Sequence, residues 1–97
     1  MARYVTLINW TDQGIKNYKD TVDRYEAANE TLSKSGASFT DCYWTVGPYD
    51  IVAVLEAPDD ETATAALLAL GGEGNVRTTT LRAFDASEMR GVIEKAP

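Results

Sequence analysis

The chain has 97 residues, of which 44% are hydrophobic and 25% charged, and its formal net charge is −6 at pH 7. That length suits a single domain over residues 1–97, and the composition is that of an ordinary soluble globular protein. The acidic balance argues against nucleic-acid partners, because phosphate contacts need clustered lysines and arginines. No apolar run approaches transmembrane length, so we expect a cytoplasmic protein with no membrane partner.

The sequence contains no histidine and a single cysteine, Cys42. A histidine-ligated haem, a histidine general base and any histidine-containing metal site are therefore excluded. One cysteine also excludes a disulfide within the chain and suits a reducing compartment. We therefore expect no cofactor and no tightly bound transition metal. Cys42 alternates with Trp44 and Val46, a pattern that favours a small buried hydrophobe over a nucleophile.

The first predicted elements are a strand and a long helix. The run Arg3–Trp10 is rich in β-branched and aromatic residues, which is typical of a strand. Thr11 then occupies the position of a helix N-cap, and Ser35-Gly36 is a typical helix end. Apolar residues spaced three, four, three and seven apart predict the buried face of this helix. They are Ile15, Tyr18, Val22, Tyr25 and Leu32.

The central segment is predicted to form a β-hairpin. The strands Phe39–Val46 and Ile51–Ala57 flank the turn signal Gly47-Pro48-Tyr49-Asp50, in which the proline presets the turn geometry. Apolar residues point to both faces of the second strand, with Val52 and Val54 on one and Ile51, Ala53 and Leu55 on the other. A strand that is apolar on both faces is usually covered on both. In a chain this small, we expect the second cover to come from another copy.

The last third of the chain predicts a helix, a strand and a short C-terminal helix. Pro58-Asp59-Asp60-Glu61 opens the helix with acidic residues in its first turn, and Gly71-Gly72 ends it. Asn75–Phe84 predicts the fourth strand, and Asp85 and Glu88 are spaced as a capping pair for the last helix. The order β-α-β-β-α-β with a C-terminal helix predicts an α+β, ferredoxin-like fold with a four-stranded antiparallel sheet.

Four segments resemble the GYD domain family, which takes its name from the motif seen here as Gly47-x-Tyr49-Asp50. The other three are Tyr4–Ile15, Glu56–Ala63 and Gly74–Phe84, so the resemblance covers nearly the whole chain. It implies a small bacterial or archaeal protein of the dimeric α+β-barrel type, in which two sheets pack face to face. That architecture also hosts haem enzymes, cofactor-free oxygenases, small isomerases and amino-acid-sensing modules. The resemblance therefore implies a fold and a homo-oligomer, but no particular reaction.

Tyr49 and Asp50 are the first candidates for ligand binding. A phenol and a carboxylate at the mouth of a hairpin are able to bind or polarise a small ligand. The structural interpretation is that Asp50 accepts N–H groups of its own turn and that Tyr49 packs over the hairpin end. We favour the structural interpretation of this pair over the functional one.

The second group of candidates belongs to the sheet face away from the helices, and its membership depends on the orientation of the first strand. If Val5 and Leu7 face the helices, a partly polar cavity forms between two sheets. Its candidate residues are Tyr4, Thr6, Ile8, Thr78, Thr80 and Arg82. Such a cavity suits an anionic or carbonyl compound. The competing interpretation is that the threonines pair across strands and that Arg82 reaches solvent; both fit the pattern of the first strand.

These observations favour a soluble homo-oligomeric module that binds a small molecule, or serves a structural role, through the face-to-face sheets of a dimeric barrel. One alternative is a cofactor-independent enzyme, of isomerase or oxygenase type, with a site in the inter-sheet cavity near Tyr49 and Asp50. Another is a subunit that exists for higher-order assembly.

Overall fold

The computed structural model describes residues 1–97 and contains one four-stranded antiparallel sheet with strand order β2-β3-β1-β4. The strands are β1 (Ala2–Trp10), β2 (Ser38–Trp44), β3 (Ile51–Ala57) and β4 (Val76–Ala83). The helices are α1 (Asp12–Lys16), α2 (Thr21–Ser33), α3 (Asp60–Gly72) and α4 (Ala86–Glu94), with a 3-10 turn at Tyr18–Asp20. These elements confirm the predicted ferredoxin-like α+β fold with a C-terminal helix. None of the helices has the length and apolar content that crossing a bilayer requires.

The core lies between one sheet face and the helices α2 and α3. Alternate residues of β3 are buried there, and Leu55 and Ala57 are 0% exposed. On α3 the alanines Ala63 and Ala66 are buried, which lets the helix backbone approach the sheet closely. Leu32 is the buried residue of α2. Leu67 and Leu70 on the same helix are partly buried against this core.

The prediction of one continuous helix after Thr11 is wrong, because this segment forms α1, a 3-10 turn and α2. Thr11 does cap α1, because its side-chain oxygen accepts the Gly14 N–H at 3.1 Å. The chain then leaves helical geometry at Asn17 (φ −108°, ψ 33°) and passes through the 3-10 turn before α2 begins. The Arg24 side chain holds this break, since it donates to the Asn17 carbonyl at 2.7 Å and to the Gly14 carbonyl at 3.2 Å.

The predicted buried face of that helix is wrong at three of its five positions. Ile15, Tyr18 and Val22 are 52%, 54% and 49% exposed. The break between α1 and α2 is the physical reason, because a single helical periodicity no longer runs through both segments. Tyr25 and Leu32 do pack against the core, as predicted.

Gly14 lies at a close approach that the sequence did not reveal. A Cβ at this position would lie 1.9 Å from the main-chain carbonyl oxygen of Asn75. The same oxygen accepts the Thr11 N–H at 3.1 Å. Glycine is therefore the residue that lets the start of α1 lie directly against the start of β4.

The hairpin is confirmed with a longer loop than predicted. β3 has the predicted bounds, whereas β2 ends at Trp44, two residues short of the predicted end. The Thr45 N–H donates to the Asp50 carbonyl at 2.8 Å and closes the loop. Gly47 has a φ of +147°, which glycine adopts far more readily than residues with a side chain.

The predicted capping pair of the last helix is also confirmed. The Glu88 N–H donates to the Asp85 carboxylate at 2.8 Å, and the Asp85 N–H donates to the Glu88 carboxylate at 3.0 Å. The hydrogen bond from Glu88 is the main cause that lowers the pKa of Asp85. This local pattern was visible in the sequence because both partners lie within one helical turn.

Candidate functional site

The structure overturns the orientation of β1 on which the predicted inter-sheet cavity depends. Tyr4, Thr6 and Ile8 are 5%, 0% and 5% exposed and face the helices. Val5 and Leu7 lie on the opposite face and are only partly covered. Both alternating sets of residues contain large apolar side chains, so hydrophobicity alone did not identify the set beneath α2 and α3.

The candidate residues on β4 share the helix side with Tyr4. The strand register places Thr78, Thr80 and Arg82 opposite Ile8, Thr6 and Tyr4, respectively. These three residues of β4 therefore lie on the same face of the sheet as Tyr4, Thr6 and Ile8. The set lies on the helix side of the sheet, so the orientation of β1 that the inter-sheet cavity required is not the one observed.

These residues form one side of an open groove of about 510 Å³ between α3 and β4. Tyr4, Thr78, Thr80 and Arg82 line its strand side, and Asp60, Ala63, Thr64, Leu67 and Leu68 line its helix side. Thr6 lies deeper, opposite Thr80, and its buried hydroxyl oxygen has no hydrogen-bond partner. Four of the six residues predicted on β1 and β4 thus line a common groove, in a different place from the one expected.

The Tyr4 phenol is the polar centre of this groove. It donates a hydrogen bond to the Asp60 carboxylate at the start of α3. Burial is the main cause that raises the pKa of Tyr4 above its ordinary value of 10.0; the Asp60 carboxylate adds to this, and the Arg82 guanidinium opposes it. Tyr4 is therefore protonated at neutral pH and serves as a hydrogen-bond donor. It is not poised as a base.

Arg82 is exposed, but its guanidinium is held in place. The Arg82 side chain donates to the Arg3 carbonyl at 3.1 Å, and its terminal carbon lies 4.5 Å from the centre of the Phe84 ring. The same carbon lies 5.6 Å from the centre of the Tyr4 ring. A guanidinium carries five N–H donors in a planar fork. These contacts leave donors that are able to bind an anionic group in the groove.

Asp60 is the groove residue that the sequence interpretation missed. It was assigned only a favourable charge in the first turn of the helix. In the structure Asp59 alone caps α3, because its carboxylate accepts the Thr62 N–H at 2.7 Å, which lowers the pKa of Asp59. Acidic residues in the first turn are favoured by the helix dipole alone, so no signal in the sequence indicates that Asp60 also contacts Tyr4.

Tyr49 and Asp50 do not belong to the groove. The Asp50 carboxylate accepts the Trp10 N–H at 2.9 Å, and the Asp50 N–H donates to the Ile8 carbonyl at 2.9 Å. Asp50 thus extends the pairing of β1 with β3, and it takes its N–H donor from β1, not from its own turn as predicted. The Tyr49 carbonyl accepts the Thr45 hydroxyl at 2.6 Å. The Asp50 carboxylate and the Tyr49 carbonyl thus both accept hydrogen bonds at the hairpin end.

A second, smaller cavity of about 50 Å³ lies between α2 and the sheet. Cys42 is one of its lining residues, most of which are hydrophobic. Burial raises the pKa of the Cys42 thiol to about 11. At neutral pH the thiol is therefore protonated, and Cys42 is partly buried where a fully buried residue was predicted.

The opposite face of the sheet carries a group of half-buried and exposed apolar side chains, which we call the open-face band. In the register of the sheet, Val5 lies between Val54 and Leu81, and Leu7 lies next to Val52. The band consists of Val5, Leu7, Tyr43, Val52, Val54 and Leu81. Tyr43 and Leu81 at its margins are 62% and 49% exposed. Arg3 and Glu56 form an ion pair at 3.5 Å on the rim of the same face.

Comparison with known proteins finds similarity over almost the whole chain. The profile of the GYD domain matches residues 4–93. A relative from Thermus thermophilus, the "glutamine synthetase and cystathionine beta-lyase binding protein", is 32% identical over 90 residues, which covers 92% of this chain and 95% of the relative. The crystal structure of TTHA0845 from the same organism superimposes with a TM-score of 0.55 and 28% identity, covering 89% of this chain and 96% of that one.

Proposed function

The chain belongs to the GYD domain family, and from that premise we propose that it is a cytoplasmic protein-binding module that works as a homodimer. The two copies meet through their open-face bands. The observation that carries this proposal is a contiguous set of six apolar side chains on the sheet face opposite the core. The relative from Thermus thermophilus is named for binding two metabolic enzymes, which supports protein binding as the role of the module.

The open-face band has the anatomy of an interface. Its centre is formed by Val5, Leu7, Val52 and Val54 on the two inner strands, and the ion pair of Arg3 with Glu56 lies at its rim. An apolar centre with a polar rim is the usual arrangement of protein interfaces. Two sheets pack face to face at about 10 Å, and a two-fold axis presents the same surface on both partners. Apolar burial of about 25 cal/mol per Å² then stabilises the pair.

The arrangement at Asp50 favours a binding module over the enzyme alternative. A general acid or base needs access to its substrate. The Asp50 carboxylate instead accepts a hydrogen bond from the Trp10 main-chain N–H. Neither Tyr49 nor Asp50 lines the groove between α3 and β4. The enzyme near Tyr49 and Asp50 stays a prediction without support from the geometry.

Analytical ultracentrifugation of matched variants tests the dimer. We expect the wild-type chain to sediment as a dimer at micromolar concentration. Leu81→Asp places a charge in the open-face band and should raise the dissociation constant at least about 100-fold, because the charge must be buried unpaired. Leu68→Asp is the control, since Leu68 is 71% exposed but lies on α3. A monomeric wild-type chain, or equal effects of the two variants, would contradict the proposal.

A second function is favoured by the groove, where Arg82 and the threonine hydroxyls lie beside apolar residues of α3. We propose that it binds a small carboxylate or carbonyl compound. Its volume of about 510 Å³ lies in the range of small-molecule sites. The guanidinium would bind the carboxylate, while Thr78 and Thr80 offer hydroxyl groups and Leu67 packs against the apolar part.

Amide chemical shifts during titration with benzoate test the groove, with benzamide as the uncharged probe. We expect benzoate to shift residues of β4 and α3 more strongly than benzamide, and we expect Arg82→Gln to remove that difference. Arg77→Gln is the matched control, because Arg77 is an exposed arginine of β4 that lies out of phase with the groove residues. Equal responses to both probes, or loss of benzoate binding in both variants, would overturn this assignment.

A further inference from the structure

The C-terminal helix α4 has an apolar side that the rest of the chain does not cover. Met89, Val92 and Ile93 recur at helical spacing and are 45%, 40% and 60% exposed. No residue of α4 is buried, and the helix makes few contacts with other elements. A nine-residue helix is marginal in water on its own. The apolar side of this helix is therefore open to packing against a surface outside its own chain.

The start of α4 is fixed beside the open-face band. Arg3 reaches Asp85 at 3.4 Å and Glu88 at 3.3 Å, and these contacts hold the first turn of the helix. Arg3 lies on the open face because it pairs with Glu56 and Ala83 and alternates with the buried Tyr4. The helix therefore begins at the edge of the surface through which we propose that two copies meet.

The open face is small for a stable interface without α4. The register places four residues of β1, three each of β2 and β3 and four of β4 on this face. A standard interface uses about 20–30 residues on each side. The nine residues of α4 bring the total into that range. The shape of the chain agrees with a helix that extends from its body. The radius of gyration is 14.4 Å, whereas a compact chain of this length has about 12.5 Å.

We propose that α4 is an arm that packs its apolar side onto a second copy of this chain and so completes the dimer interface. The inference rests on the proposed dimer. A two-fold axis through the open face places the arm of each copy at the edge of the other. The arm carries both signs of charge, with Glu88, Arg90 and Glu94 along its length. It therefore offers no one-signed surface that would select an oppositely charged partner.

Hydrogen exchange at two protein concentrations tests the arm in the full-length protein. Above the dissociation constant of the dimer, we expect the main-chain amides of Ala86–Glu94 to be protected. Below it, we expect their exchange to accelerate at least about tenfold, because an uncovered short helix opens readily. The amides of β3, which lie in the core of each copy, should change much less.

A matched pair of variants gives the second readout. Ile93→Ser should raise the dissociation constant measured by sedimentation about tenfold, whereas Ile15→Ser should change it less than about twofold. Ile15 is 52% exposed on α1, so the two substitutions remove similar side chains from different surfaces. The proposed role of α4 would be contradicted if the exchange rates of its amides did not change on dilution and Ile93→Ser did not raise the dissociation constant of the dimer. The proposed dimer itself would not be contradicted by that result. A monomeric wild-type chain would overturn both.

Discussion

The two faces of the sheet are built from the same strands but depend on different covers. On the covered face, β1 places Tyr4, Thr6 and Ile8 beneath the helices, where none is more than 5% exposed. On the open face, Val5 and Leu7 of the same strand remain partly exposed in the single chain. Apolar residues on both faces of a strand therefore indicate that it is covered on both sides, but they do not indicate which side the chain covers itself.

Truncating one leucine on each face of the sheet should give the largest difference in unfolding free energy between the two faces. Leu55 is 0% exposed on the covered face, so Leu55→Ala should cost about 2–5 kcal/mol of unfolding free energy through the cavity that it leaves. Leu81 is 49% exposed, and Leu81→Ala should cost less than about 1 kcal/mol in the monomer. Chemical denaturation at concentrations below the dissociation constant measures both. Similar losses would mean that the two faces are equally buried in one chain.

A substitution at Gly14, where α1 contacts the start of β4, should lower the free energy of unfolding almost as much. Gly14→Ala drives a Cβ into the Asn75 carbonyl, and we expect it to lower the unfolding free energy by about 1–3 kcal/mol. Gly71→Ala is the control, because no atom lies within 4 Å of its added Cβ. Alanine is the better helix former, so this variant should gain about 0.5–1 kcal/mol. Thermal melting compares the two, and a harmless Gly14→Ala would show that α1 is loosely attached.

At the hairpin end, two substitutions of Asp50 separate a structural carboxylate from a functional one. Asp50→Asn keeps an oxygen that is able to accept the Trp10 N–H, so its melting temperature should stay close to that of the wild type. Asp50→Ala leaves that N–H without a partner and should cost about 1–2 kcal/mol. If both variants have the melting temperature of the wild type, the hydrogen bond from the Trp10 N–H to Asp50 does not stabilise the hairpin. That result would favour a functional role for Asp50.

Ionising Cys42, which lies between the sheet and α2, tests the covered side by a change of pH instead of a substitution. Burial raises its pKa from the ordinary 9.0 to about 11, so the thiolate fraction at pH 8 is about 100-fold lower than in the unfolded chain. Reaction with a thiol reagent should be slower by about that factor. The stability that the protonated thiol contributes is fully present below pH 9 and should be lost as the pH rises from there to about 11. Equal reaction rates in the folded and unfolded chain would show that Cys42 is open to solvent.

Local signals explain why most of the fold could be predicted from the sequence. The Thr11 cap, the capping pair of Asp85 with Glu88 and the turn at Gly47 each depend on residues a few positions apart. Strand boundaries follow from β-branched and aromatic runs in the same way. The order of these elements then allows few topologies, and the ferredoxin-like arrangement is one of them.

The remaining features depend on contacts between residues distant in sequence. The phase of β1 was ambiguous because each of its two alternating sets contains large side chains with apolar surface, Tyr4 and Ile8 in one and Val5 and Leu7 in the other. Gly14 meets Asn75, and Asp60 meets Tyr4, across 61 and 56 positions of the chain. No local pattern encodes such contacts. The candidate site was therefore predicted residue by residue on β4, but on the wrong side of the sheet.

The central claim is that the open-face band is where two copies meet, and an isotope-filtered NOE experiment tests it most directly. A mixture of carbon-13-labelled and unlabelled protein reports only contacts between methyl groups of different copies. We predict intermolecular NOEs at Leu7, Val52 and Val54, and none at Leu55 or Ile8 on the covered face. Intermolecular NOEs confined to the helix side, or no such NOEs in a sample that sediments as a dimer, would contradict the account.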